Sequence, residues 1–263
     1  MILNFAKKID VAFRVINIDL RMIGVSILRL PRYFSERKRF NELFKDKSWR
    51  QERCPALLDR DMPSASLGEY FWQDMFVAKR IISDNPRFHI DVGSRIDGFV
   101  AHLACVRPVS VFDIRPLEAI IDNVEFVQWD ITNPNQKYRN VADCVSCLHT
   151  LEHIGLGRYG DKLDPDGWRK GLASLASLMS TSGQMWLSVP IGIQRVEFNA
   201  HRIFSPSTII EYAKDLGLSL SGFWYLSDKG MTESIDLECD LNRLSSKRYG
   251  LGVFLFTNRE VTQ

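Results

Sequence analysis

Between residues 88 and 189, short apolar runs that suit strands alternate with helix-forming stretches, and this alternation restricts the chain to a parallel sheet wound with helices on both faces. The runs are 88–92, 109–113, 124–129, 142–148 and 184–189; helices are expected at 99–105, 116–121 and 166–179. A helix over 67–83 leads into the first strand, opened by Ser66-Leu67-Gly68-Glu69, which fits a capping box. After a helix at 207–216, the last two runs, 218–225 and 251–257, are separated by a polar stretch without helical pattern and should pair antiparallel. The expected α/β domain over 65–263 is therefore a doubly wound, mostly parallel seven-stranded sheet ending in an antiparallel pair.

Residues 1–64 read as a basic helical extension and linker. Residues 1–53 carry 13 Lys or Arg against 6 Asp or Glu, although the whole chain is only +2. Ile9, Phe13, Ile16, Leu20, Ile23, Ile27 and Leu30 recur every three or four positions, one face of a long helix that Pro31 should end. A second helix and linker should follow over 32–53. Asp10, Arg14, Asp19, Arg21 and Arg29 interrupt the apolar run, so it is too charged to span a membrane. Two uses remain open for residues 5–30: packing on this domain or a second copy, or lying on a membrane surface. The basic arm also leaves nucleic acid open, as the less favoured partner. Five scattered cysteines imply a reducing, cytoplasmic setting, at most peripheral to the inner membrane face. Cys144 and Cys147 fall three apart in one strand and should face opposite sides of the sheet as core thiols.

Two of the strands end in an acid. His89-Ile90-Asp91-Val92-Gly93-Ser94 makes an acid-x-glycine turn, and 109–113 ends at Asp113. Such a turn brings bare backbone up to a ligand, and an acid at the next strand tip can accept both hydroxyls of a ribose. From Gly93, a pyrophosphate-binding Gly-x-Gly-x-x-Gly turn needs a glycine where Arg95 stands, which disfavours a nicotinamide dinucleotide; in an alternating Gly-x-Gly-x-Gly turn both Arg95 and Asp97 replace glycine and Gly98 falls one place late. An anionic turn suits a ligand carrying an ammonium and a sulfonium, as S-adenosylmethionine (SAM) does.

His149, Glu152 and His153 fall at i, i+3 and i+4 after the fourth strand, and His201 should arrive on the loop after the fifth. Three readings of this cluster stay open: general bases, a divalent-metal site built mainly from Glu152, His153 and His201, or groups that only order the loop. Methyl transfer to a hydroxyl needs an aligned acceptor and a group to take its proton, which histidines near neutrality can do.

The strand-end acids together with Leu151-Glu152-His153 resemble the class I SAM-dependent methyltransferases. That resemblance implies Asp91, Gly93 and Ser94 beneath the methionine, Asp113 and Ile114 at the ribose, and Asp130 and Ile131 at the adenine. The histidine spacing is also similar to that of metal-dependent methyltransferases of small-RNA ends, with His149 in place of a glutamate. Three longer runs are narrower: Glu152-His153-Ile154-Gly155-Leu156-Gly157-Arg158-Tyr159-Gly160-Asp161, Asp164-Pro165-Asp166-Gly167, and Phe198-Asn199-Ala200-His201-Arg202-Ile203-Phe204-Ser205-Pro206. They resemble the family named domain of unknown function 268, over residues 65–258. The resemblance implies a methyltransferase in bacterial surface-glycan synthesis, with a sugar hydroxyl as acceptor. A non-catalytic binding or assembly subunit of such a pathway is the alternative.

Overall fold

The computed structural model describes residues 19–45, 50–58, 67–227, 229–230 and 232–259. The chain divides into two units, Met1–Ser66 and Leu67–Gln263.

In the first unit, helix α1 (Leu20–Leu43) starts at Asp19, whose carboxylate accepts from the Arg21 and Met22 amides. Pro31 lies inside this helix instead of ending it. A proline withholds only its own N–H, and the carbonyl it frees is that of Ile27, on an exposed turn where water can satisfy it. The second helix expected over 32–53 is thus the continuation of the first as far as Leu43. Residues 5–18 of the expected apolar face lie outside the described residues. Within α1, Ile23, Ile27 and Phe34 are exposed. No helix among the described residues is long and apolar enough to cross a membrane.

The second unit is built on strands β1 (His89–Val92), β2 (Val109–Asp113), β3 (Val124–Gln128), β4 (Ala142–Leu148) and β5 (Met179–Ile191), and on β8 (Leu218–Leu226), β9 (Thr232–Ser234) and β10 (Gly250–Asn258). They form one sheet in the order β3-β2-β1-β4-β5-β10-β8-β9, parallel from β3 to β5 and antiparallel beyond. The chain leaves β1 toward β2 and β3, then returns to β4 on the other side. The carboxyl ends of β1 and β4 therefore open a crevice at the point where strand order reverses.

Helices cover both faces. On one, α2 (Glu69–Asp84) and the short α3 (Ala101–Ala104) pack Val77, Ile81 and Leu103 against Val109, Val111 and Trp186. On the other, α4 (Gly167–Leu178), α5 (Pro206–Asp215) and α6 (Leu237–Ser245) place Leu172, Ile209 and Leu244 against Val145, Leu187 and Phe254. Cys144 belongs to the first layer and Cys147 to the second, both reduced and buried.

Several elements differ from expectation. The sheet has eight strands, because β9 adds an edge to β8. The polar stretch before β10 holds α6, capped by Asp236 through the Glu238 amide; Leu237, Leu241 and Leu244 recur there at helical spacing, and Leu244 is the one fully buried. Residues 116–121 are irregular, not helical, and the Ile120 side chain stands fully exposed, so that run has no face to pack. Helix α2 begins at Glu69 with Gly68 as its cap, so no capping box forms, and Ser66 lies outside the described residues. The segment after β5 is a hairpin of β6 (Arg195–Glu197) and β7 (His201–Ile203), not a loop.

Candidate functional site

The carboxyl ends of β1, β2 and β4 surround a cavity of about 270 Å³. Gly93 makes the first turn: its φ of 72° is open to glycine, and a Cβ there would stand 2.4 Å from the Thr150 side chain. Ser94 follows on the cavity wall, but Asp91 does not line it. The Asp91 carboxylate is fully buried and accepts from Ser146 Oγ (2.5 Å), Ser94 Oγ (2.7 Å) and the Ser94 amide (3.2 Å). His89 completes the chain, with Nε2 2.9 Å from Ser146 Oγ. Asp91 thus braces the turn from behind.

Burial dominates both ends of this chain. It raises the Asp91 carboxyl to about 7 against its three hydrogen bonds, and with help from Arg107 it holds the His89 imidazole down to about 3. From pH about 4 to about 7 the unfolded Asp91 releases a proton that the folded one keeps, so its contribution to stability falls over that window. His89 acts oppositely: from about 3 to about 6.5 the unfolded imidazole takes a proton the folded one refuses, so stability rises with pH. The Asp91→Asn variant removes only the falling component. Its urea midpoint, compared with wild type at pH about 4.5 and about 7, should gain relative ground at the higher pH. A constant difference would rule out the elevated Asp91 pKa.

Asp113 ends β2 on the cavity wall, and both of its oxygens hold Arg115: Oδ1 takes the amide (2.8 Å) and Nε (3.0 Å), and Oδ2 takes Nη2 (2.6 Å). The Arg115 guanidinium also lies 4.7 Å from the centre of the Tyr159 ring. Asp130 ties its own turn through Thr132 and Asn133. Ile114 and Ile131 join Phe112 and Trp129 in an apolar slot beside these acids.

At the end of β4, His149 sits in the left-handed region (φ 53°), its amide bonded to the Ser188 carbonyl on β5. Its Nδ1 is 2.8 Å from Glu152 Oε1. With Glu152 ionised, Nδ1–H donates to it, and a neutral ring would carry its lone pair on Nε2, a buried atom without a hydrogen-bond partner that lies 4.0 Å from Glu69 Oε1. His153 is fixed likewise: Nδ1 donates to the Ala200 carbonyl (2.6 Å), and burial lowers its pKa below the ordinary histidine value. Both histidines line the cavity, with buried Glu152 between them. His201 does not; its Nε2 is 3.3 Å from Glu197 across the β6–β7 hairpin, and its ring is 6.5 Å from that of His153. Among the described residues no group of three His, Cys, Asp or Glu side chains could hold a metal ion, so Glu152, His153 and His201 do not converge as ligands.

The loop behind these histidines is knotted by its own residues. Asp161 accepts from the Gly155 (2.7 Å), Gly157 (3.2 Å) and Tyr159 (3.2 Å) amides. Gly155, at φ 81°, leaves no room for a Cβ beside the Asp164 carbonyl. Arg202, buried on β7, donates to the carbonyls of Glu152, Ile154, Asp164 and Pro165, the shortest at 2.6 Å to Ile154. The three runs singled out in the sequence are therefore one structural unit.

Residues 117–249 match the family model described as Caenorhabditis protein of unknown function, DUF268. The chain belongs to that family. The matched span is shorter than the 65–258 expected and leaves out β1 and β2. No curated protein matches this DUF268 chain. Among solved structures, it is similar to the 1,6-didemethyltoxoflavin-N1-methyltransferase of Burkholderia thailandensis, itself bound to S-adenosylhomocysteine. The two are 14% identical over 71% of this chain and 79% of that one, with a TM-score of 0.50. It is also similar to the cyclase SpnF, at 10% identity over 71% of this chain and 79% of that one, with a TM-score of 0.52. The DUF268 chain has the class I methyltransferase fold. Because a cyclase shares it, the fold alone does not decide the chemistry.

Contributors that the sequence reading did not name include Tyr70, Gln73 and Asp74 on α2, and Arg115. All but Gln73 are charged or aromatic, and all four line the cavity. A signal was present on α2, where Gln73 and Asp74 stand one turn before Val77 and Ala78 and interrupt an otherwise apolar buried stripe.

Proposed function

We propose that this protein binds SAM in the β1–β2–β4 crevice and transfers its methyl group to a hydroxyl oxygen. The observation that carries the reading is the convergence on one cavity of a glycine turn, an acid at the β2 tip, an apolar slot and two imidazoles of defined tautomer. The donor set fits the cofactor: Asp113 suits a ribose diol, and Ile114, Ile131, Phe112 and Trp129 suit an adenine face. SAM supplies the electrophilic methyl group. As the acceptor oxygen gains that methyl, its proton passes to His149 Nε2, with His153 as the second candidate base; Glu152 stabilises the imidazolium that results.

The acceptor we assign is a sugar or glycan-precursor hydroxyl. Family resemblance supports that class, and the polar Gln73, Arg158 and Tyr159 on the cavity wall suit it. The basic first unit, with Ile23, Ile27 and Phe34 exposed, would bring the enzyme to an anionic membrane face. Methylation of a panel of glycosides and nucleotide sugars, read by mass spectrometry, tests the acceptor class.

Calorimetry with SAM and S-adenosylhomocysteine tests the cofactor, and absence of binding by both rejects the proposal. The Asp113→Ala variant should bind S-adenosylhomocysteine about 10-fold or more weakly, through lost hydrogen bonds to a charged acceptor. Unchanged affinity would remove the ribose assignment. A non-catalytic role is favoured by one observation, the engagement of both Asp113 oxygens by Arg115. In that case neither cofactor form displaces the arginine and the calorimetry is silent.

A further inference from the structure

The turn after β1 departs from a glycine-rich pattern at Arg95 and Asp97, and the acid that begins it, Asp91, is spent on Ser94 and Ser146 behind the wall. A second acid stands on the cavity side of the same turn. Asp74, on α2, is 5% exposed and lines the cavity. Its Oδ1 accepts from Gln73 Nε2 (3.0 Å), whereas Oδ2 has no hydrogen-bond partner among the described residues. That oxygen lies against Gly98, where a Cβ would come within 2.5 Å of it. So the one glycine kept late in the turn makes room for Asp74.

Arg95 is on the same wall. Asp97 grips it through Nε (3.0 Å) and Nη2 (2.8 Å), which fixes the plane of the guanidinium and leaves Nη1 without a partner among the described residues. A carboxylate oxygen against Gly98 and a guanidinium N–H on the same cavity wall thus each keep unused hydrogen-bonding capacity. Burial raises the Asp74 pKa, as expected of an acid whose nearest side-chain partner is a neutral amide.

Resting on the SAM reading above, we infer that Asp74 and Arg95 form a clamp for the amino-acid end of the cofactor, Asp74 accepting from its ammonium and Arg95 donating to its carboxylate. The replacement of two glycines then has a purpose: Arg95 supplies by side chain the anion contact that a bare glycine turn supplies by backbone, and Asp97 holds Arg95 in place. Both are positioning residues for the methionine and take no part in moving the methyl group.

The test compares S-adenosylhomocysteine with 5′-methylthioadenosine, which keeps the nucleoside and the sulfur and lacks the amino acid. Titration calorimetry on the full chain should show Asp74→Asn and Arg95→Gln each weakening S-adenosylhomocysteine about 10-fold or more, while 5′-methylthioadenosine stays within about two-fold of wild type. The second probe also reports that each variant is folded. Equal losses for both probes, or unchanged S-adenosylhomocysteine affinity in either variant, overturn the clamp and leave the SAM reading standing. A wild-type chain that binds neither probe overturns both.

Discussion

His149→Ala should lower methyl transfer by about 10²–10⁴-fold, the usual worth of a positioned general base, while S-adenosylhomocysteine affinity stays within about three-fold. The assay uses the hydroxyl acceptor that the glycoside panel supplies, with kcat and KM measured separately. The reason is geometric: Glu152 holds the Nδ1–H of His149, so the basic Nε2 has a fixed orientation. Glu152→Gln should cost most of the same factor, because its amide can present an N–H where the ring needs an acceptor. His201→Ala is the internal contrast, expected within about two-fold of wild type, since its ring pairs with Glu197 off the cavity wall. Parity of the His149 and His201 variants would strip His149 of the role.

Arg202→Met should destabilise the folded chain by about 3–5 kcal/mol. One short charge-assisted bond to the Ile154 carbonyl is lost, worth about 2–3 kcal/mol, and carbonyls of Glu152, Asp164 and Pro165 lose a donor in a largely buried place. Methionine fills similar volume, so the cost reflects the bonds and not a cavity. Chemical unfolding followed by far-ultraviolet circular dichroism measures it. A loss below about 1 kcal/mol would mean that the loop holds itself without the arginine.

The parts of the fold that were readable are those whose pattern is local. Strands β1 to β5 announce themselves as apolar runs bounded by turn residues, and Asp113 and Gly93 fall at their ends because strand length and turn chemistry place them there. Strand β9, an edge strand of three residues, has almost no hydrophobic pattern; helix α6 does carry one, in Leu237, Leu241 and Leu244 at helical spacing, but it is short and set among acids and polar residues that read as a loop. Within the site, the cluster of His149, Glu152 and His153 follows from short sequence spacing. The exclusion of His201 does not, because it depends on how the β6–β7 hairpin folds back. Arg115 was hidden for another reason: it reaches backward to Asp113, two residues earlier, and such local pairs look like ordinary surface charge. Asp91 was placed on the right strand and given the wrong neighbours, since nothing in its own segment shows that Ser146, 55 positions away, would claim it.

The contact that sets the His153 tautomer comes from the main chain. The Ala200 carbonyl takes the Nδ1 proton, and any residue at position 200 would present the same oxygen. Alanine scanning is blind to it, and side-chain variation at that position carries no information about the imidazole. What the hairpin must keep is its length. One residue gained or lost between β6 and β7 would shift that oxygen by roughly 3.4 Å, the rise of a strand residue, and take it out of reach of the ring.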